Sequence, residues 1–349
     1  GGGGPTRDHL EHLRRQKDLE GVPKCRMASP VDYFHDMEKA GATDERYVGE
    51  LYYQCHRGTY TSQARTKRGN RKCEIGLREA EMWSVAAGAL GRFQFPVETI
   101  DEAWKKVLLN QFHDILPGTS IHRVYDEVHA MHDEVLDTAA ETAEQARAAL
   151  TEGQHALTVF NSLNWERTAL VPLPDDAQGA ADAEGNALPV QQTEDGPVAE
   201  VSVPSCGWTT VTPSAGAAES QPGRRVTATD AALENELIRV EFGEQGEITS
   251  IFDKESNREW AVGPCNELRM YKDQPTKFDA WDIDSMYENE PVELTEPAEI
   301  EPLCSGPLVA RLRIKRRVGE SSMTQVVSLR AGSRRVDFET VMDWQERHK

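Results

Sequence analysis

The run Gln111-Phe112-His113-Asp114-Ile115-Leu116-Pro117-Gly118-Thr119 sets an imidazole and a carboxylate side by side, just ahead of a Pro-Gly stop. An imidazole nitrogen can bind a metal ion, and a neighbouring carboxylate can accept hydrogen bonds from hydroxyl groups. The element that must position them reads as a helix beginning at Thr99, where Thr99 and Glu102 have capping-box spacing. Apolar residues follow at Ile100, Trp104, Val107, Leu108, Phe112 and Ile115, close to the helical period. His113 and Asp114 fall outside that stripe, in what reads as the last helical turn. Pro117 cannot continue the helix, and Gly118 supplies the turn.

Other constellations carry chemistry less clearly. His56-Arg57-Gly58-Thr59-Tyr60-Thr61-Ser62 reads either as a substrate loop, with Arg57 and Tyr60 as hydrogen-bond donors, or as a turn serving geometry alone. Asp279, Trp281, Asp282 and Asp284 put carboxylates beside an indole, which suits sugars with polar edges and stacking C–H faces. An edge strand is the alternative there. The Asp282-x-Asp284 pair lacks the glycine and terminal Glu of an EF-hand loop. His122, Asp126, His129 and Asp133 lie at i, i+4, i+7 and i+11, a helical stripe read as a solvated face. No Lys-Ser/Thr follows Gly1–Gly4, so that run does not read as a phosphate cradle.

Several of these stretches, in order, resemble the glycoside hydrolase family 38 α-mannosidases, nearest the bacterial and cytosolic branch. Leu109 to Ile121 resembles the family's signature helix, and Gly1-Gly2-Gly3-Gly4-Pro5-Thr6 the glycine run closing its catalytic domain. Gly49-Glu50-Leu51-Tyr52-Tyr53 with His56 to Gln63 resembles the start of its helical domain. Leu233 to Leu237 and Asp279 to Asp284 resemble its C-terminal β region. The resemblance implies a retaining hydrolase of terminal α-mannosides in oligosaccharides, with a Zn²⁺ ion held by two His and two Asp. His113 would be one zinc ligand and Asp114 a sugar contact, with Arg57, Tyr60, Trp281 and Asp282 lining the sugar. Retention needs two carboxyl groups about 5 Å apart. The resemblance places the nucleophile, the acid/base and the other zinc ligands upstream of Gly1. The expectation is an internal piece of a longer enzyme, inactive alone. A non-catalytic carbohydrate-binding or scaffold module is the alternative.

Composition bounds these readings. The formal net charge of −20 argues against nucleic acid as a partner, since that wants a concentrated basic surface. No run approaches the roughly 18 apolar residues of a spanning helix, so no membrane role is expected. Six cysteines are scattered without a CxxC pair, which reads as free thiols in a reducing cytoplasm. Self-association is left open.

The 349 residues suffice for several cores. The expected class is multidomain α+β: an antiparallel three-helix bundle followed by antiparallel β-sandwich domains. Residues 1–40 read as the remnant of an α/β domain with a helical pattern through Leu10, Leu13 and Leu19, and 41–152 as the bundle. Its first helix is expected to face inward through Ile75, Glu79, Met82, Ala86 and Leu90 and to stop at Gly91. Its last runs from about Ser120 to Leu150 through Val124, Val128, Met131 and Val135. Residues 153–222 read as a small β domain and linker, with strands at Leu157–Asn161, Leu170–Leu173 and Thr209–Val211. A loop is expected at Asp175–Asn186 and the linker at Ser214–Arg224. Residues 223–349 read as the start of a larger sandwich, with strands near Leu237–Phe242, Ile248–Phe252, Val309–Val318, Thr324–Leu329 and Arg335–Val341.

Overall fold

The computed structural model describes residues 4–42, 45–51, 54–151, 157–216 and 225–349. Most of the opening glycine run, the Tyr52-Tyr53 pair and residues 217–224 of the expected linker lie outside the described residues. The chain divides into two compact units, Gly1–Tyr52 and Tyr53–Lys349.

The first unit carries α1 (Arg7–Gln16) and α2 (Pro30–Lys39). Thr6 caps α1, its hydroxyl accepting the His9 N–H, and Ser29 caps α2 ahead of Pro30. Neither helix buries a residue. Leu19 falls beyond the end of α1, and α2 was not marked by the apolar spacing.

In the second unit α3 (Ala64–Ala89), α4 (Val97–Asn110) and α5 (His122–Leu150) form an up-down-up bundle. Thr66 and Gly76 of α3 meet His129 and Ala139 of α5, so those two helices run the same way. Trp104 reaches Glu81, and Asn110 reaches Met131, so α4 runs against both. Leu77, Ala80, Trp83 and Ala87 bury against Ile100, Ala103 and Val107 and against Val135, Ala139 and Ala143. Truncating a core aromatic such as Trp83 would cost about 3–5 kcal/mol.

One helix presents a face other than that expected, and the α5 face matches at Val128 and Val135 but is widened by Tyr125, His132 and Ala139. In α3 the buried stripe is Cys73-Leu77-Ala80-Ala87, while Ile75 and Leu90 are exposed. Small residues there let α5 approach closely, and that close packing decides the face. In α5 the inward residues are Tyr125, Val128, His132, Val135 and Ala139. Gly91 does close α3, at φ +70°. α4 starts at Val97 after Pro96 with no side-chain cap, so Thr99 and Glu102 form no capping box; Glu102 pairs with Lys105 instead.

The remaining strands are antiparallel throughout. A smaller domain holds β1 (Leu157–Asn161), β2 (Arg167–Pro172), β3 (Val190–Thr193), β4 (Gly196–Val203) and β5 (Gly207–Ser214). β1 pairs with β5, and β4 sits between β2 and β3. The expected loop at Asp175–Asn186 contains a short strand, Gly179–Ala181, that adds to β5. Phe160 meets Trp83 edge-on with centroids 5.0 Å apart, seating this domain on the bundle.

The larger sandwich holds β6 (Ala232–Glu234), β7 (Ile238–Phe242), β8 (Ile248–Asp253), β9 (Glu299–Cys304), β10 (Val309–Val318), β11 (Ser321–Arg330) and β12 (Val336–Asp343). One sheet contains β8-β7-β6 and the other β9-β10-β11-β12. Alternate residues Ala310, Leu312 and Ile314 of β10 and Val327 and Leu329 of β11 face Leu233, Ile238, Val240 and Ile248 across the core. Glu244-Gln245-Gly246 makes the turn between β7 and β8, with Gly246 at φ +77°.

Candidate functional site

His113 and Asp114 lie just beyond a helix, not within one. α4 ends at Asn110, and the chain passes through turns from Gln111 to Gly118. Gln111 leaves the helical path because its amide side chain donates to Asn70 (3.0 Å) and Glu74 (3.1 Å) of α3. At the far side the Lys67 ammonium donates to the Leu116 carbonyl at 2.8 Å. Gly118 presses its backbone on Ser62 at φ +94°, where a Cβ would fall 2.5 Å from the Ser62 carbonyl oxygen. The Asp114 carbonyl accepts from Ser120 Oγ at 2.6 Å and Thr119 N at 3.3 Å. Backbone on both flanks is therefore fixed while the His113 side chain stays 79% exposed.

The two side chains face different partners. The His113 ring lies over Phe112, with centroids 4.2 Å apart. Its Nε2 is 3.9 Å from Asp114 Oδ2, longer than a hydrogen bond. Asp114 Oδ1 accepts from Thr119 Oγ1 at 3.4 Å.

The segment from His56 to Ser62, which is a 3₁₀ helix over Gln54–Tyr60 and the turn after it and not a plain loop, joins this turn to the Asp279–Asp284 segment. Gly58 N donates to the Trp281 carbonyl at 2.9 Å, and Ser62 Oγ lies 3.0 Å from the Ala280 carbonyl. Gly58 is buried there, since a Cβ would stand 3.0 Å from the Asp282 carbonyl. The Trp281 indole meets His56 edge-on at 4.6 Å. The Asp279–Asp284 segment is a run of turns and loop, not an edge strand. Arg57 and Asp282 line one hollow of about 490 Å³ together with Cys55, Lys277 and Asp284. Tyr60, 57% exposed, lines a second of about 390 Å³ with Lys67, Asn70, Leu116 and Pro117. The His56–Ser62 segment thus presents Arg57 and Tyr60 outward while Gly58 and Ser62 hold the geometry.

Of the remaining expected constellation, His122, Asp126 and Asp133 stay on the surface, whereas His129 is half-buried with its Nε2 3.3 Å from Thr66 of α3, so the stripe is not wholly the solvated face expected. His122 is 91% exposed with Nε2 3.8 Å from Asp126, and Asp133 pairs with Arg65 at 3.8 Å. Among the described residues, no group of three or more His, Cys, Asp or Glu is arranged to hold a metal ion. His113 supplies one exposed nitrogen with a carboxylate beside it, a partial donor set compared with the four ligands of a zinc shell.

Residues 54–150 match the α-mannosidase middle domain, and residues 233–349 match the C-terminal domain of glycosyl hydrolases family 38. The chain belongs to glycoside hydrolase family 38. It is 31% identical to alpha-mannosidase 2C1 of Homo sapiens over its whole length, covering 33% of that protein. Identity to alpha-mannosidase G of Dictyostelium discoideum is 30%, again over the whole chain and 36% of that relative. The family 38 chain therefore spans about a third of the length of these relatives. Its fold resembles that of a family 38 protein from Enterococcus faecalis, with a TM-score of 0.68 at 17% identity over 99% of this chain and 50% of that one. An alpha-mannosidase from the same organism gives 0.64 at 18% identity, over 98% of this chain and 49% of that one.

The candidate residues fall in both matched regions. His113, Asp114, Arg57 and Tyr60 come from the middle domain, Trp281 and Asp282 from the C-terminal one. Sequence reading passed over the residues that join them. Ser62 belongs to the His56–Ser62 run, but Lys67 sits in the basic run Thr66-Lys67-Arg68-Gly69-Asn70-Arg71-Lys72, where nothing local sets it apart. Its distinction is tertiary: burial holds its ammonium pKa below the ordinary value, and the ammonium donates hydrogen bonds to two backbone carbonyls.

Proposed function

We propose that this chain is part of a zinc-dependent, retaining α-mannosidase that removes terminal α-mannosides from oligosaccharides in the cytoplasm. The observation that carries the reading is the turn clamped on both flanks around an exposed His113. Fixing the backbone on both sides of a ligand removes part of the freedom that it would lose on binding, which favours a metal site.

His113 fits one position of a zinc shell, through a ring nitrogen on a side chain that is 79% exposed. Zinc bound there supplies an electrophilic centre that orients sugar hydroxyls. Asp114, its carboxylate steadied by Thr119, accepts hydrogen bonds from a hydroxyl of the same sugar. Arg57 and Asp282, which share one hollow, and Tyr60, in the second, would exchange hydrogen bonds with sugar hydroxyls, with Trp281 held against His56. The two carboxyl groups of a retaining hydrolase are assigned to residues outside this chain, so the chain binds and orients and does not by itself cleave. The six free thiols suit a reducing compartment.

Hydrolysis of 4-nitrophenyl α-mannoside by the full-length gene product tests this reading, with His113 intact and as His113→Ala. Activity is expected in the first and a loss of at least about a hundredfold in the second, the scale of removing one electrostatic contact to the transition state. Equal activity in both would make His113 structural. Inactivity in both, with mannose still bound, would favour a binding module.

A further inference from the structure

We infer that Lys67 is a positioning residue: its ammonium ties the turn carrying His113 to the segment carrying Arg57 and Tyr60, and so sets the metal ligand against the sugar contacts. The inference rests on the mannosidase reading above. Lys67 Nζ donates to the Ser62 carbonyl at 2.6 Å and to the Leu116 carbonyl at 2.8 Å, two points 54 residues apart in the chain. Ser62 is the hub of the second connection, its Oγ lying 3.0 Å from the Ala280 carbonyl and 2.9 Å from that of Gly58. Three segments bearing the candidate contacts therefore converge on one lysine and one serine.

The lysine stands where the backbone leaves little freedom. Gly118 already abuts Ser62 with no space for a Cβ, so the two segments touch directly and Lys67 fastens them on one flank. A carbonyl pair in a half-buried position needs donors, and a charged donor makes the stronger hydrogen bonds. An apolar side chain of similar length would fill the space and leave both carbonyls unpaired. The turn would then keep Gln111 fastened to α3 and Ser120 on the Asp114 carbonyl but lose its charged tie to the Ser62 segment, three residues beyond His113. Outer groups that orient a metal ligand typically govern affinity by 10–100-fold.

The test compares the wild-type full-length gene product with Lys67→Met and Lys67→Arg. Zinc affinity is read by competition with a chromophoric chelator, and kcat and KM with 4-nitrophenyl α-mannoside. Lys67→Met is expected to weaken zinc binding by roughly 10–100-fold and to lower kcat, with Lys67→Arg restoring most of both. Should Lys67→Met fail to fold, Lys67→Gln keeps two N–H donors without the charge and is expected to retain most of the zinc affinity. Unchanged zinc affinity in Lys67→Met, with or without a lower melting temperature, would overturn the inference and leave the mannosidase reading standing. A wild-type protein that binds no zinc would overturn that reading and this inference together.

Discussion

Gly118 shows how much of the site is decided by single atoms. At φ +94° it sits in a region that favours glycine, and a Cβ would meet Ser62 backbone atoms at 2.5 and 2.7 Å. Backbone on backbone cannot give way as a flexible side chain can. Gly118→Ala is expected to destabilise the second unit by about 2 kcal/mol or more, read as a lower midpoint in urea unfolding with an unchanged slope. A midpoint equal to wild type would mean that the turn and the Ser62 segment do not touch as described. The turn itself was legible in the sequence, because Pro117-Gly118 is a strong local stop. The earlier end of α4 was not. It follows from the Gln111 amide reaching Asn70 and Glu74, partners some forty residues away whose proximity no local pattern encodes. Lys67 was hidden for the same reason.

At the scale of elements, α5 buries His132 in the bundle core, where apolar side chains are the rule. The side chain is 2% exposed, and neither ring nitrogen has a hydrogen-bond partner among the described residues. Gly69 of α3 makes the space, since a Cβ there would stand 2.3 Å from His132 Nδ1. Desolvation and the neighbouring His129 hold the His132 pKa below its ordinary value, against a smaller pull upward from Asp133. The unfolded chain therefore binds more protons between the folded and unfolded pKa values. Stability is full above about pH 6.5 and falls as pH drops below it toward the folded value. His129, also shifted down mainly by burial, adds to the same trend. Urea unfolding at pH 7.5 and pH 5 is expected to show lower stability in acid, with the difference reduced in His132→Leu. An undiminished difference in that variant would assign the acid sensitivity elsewhere. The helices of the bundle were readable from apolar periodicity, but the inward face of α3 was not. Ile75 and Leu90 belong to one plausible stripe and Cys73, Leu77 and Ala80 to another. Which one is buried depends on how closely α5 can approach, a property of the pair.

At the scale of the second unit, its parts are joined by a few buried polar groups. Gln191 of β3 is 5% exposed, donating to the Val309 carbonyl at 2.8 Å and accepting from Leu308 N at 2.8 Å and Val309 N at 3.0 Å. It works as a piece of backbone added to the edge of β10. Nearby, Arg311 pairs with Glu194 at 3.1 Å, and Cys304 beside them has its thiol pushed up to about 12, chiefly by burial. Gln191→Ala would strand three backbone groups, and a loss on the order of 3 kcal/mol is expected in chemical unfolding. A loss under about 0.5 kcal/mol would show that the two β domains are held by other contacts. Alternation in β10 and β11 made the sandwich legible, whereas β3 and β4 escaped notice because Gln191, Gln192 and Gly196 interrupt their apolar pattern. The central claim concerns His113 itself, held exposed by a turn anchored on both sides. Zinc-edge anomalous diffraction from crystals of the full-length gene product tests it most directly. A single strong peak about 2.0–2.1 Å from a His113 ring nitrogen is expected. A zinc peak elsewhere, with His113 touching only protein or solvent, would contradict it.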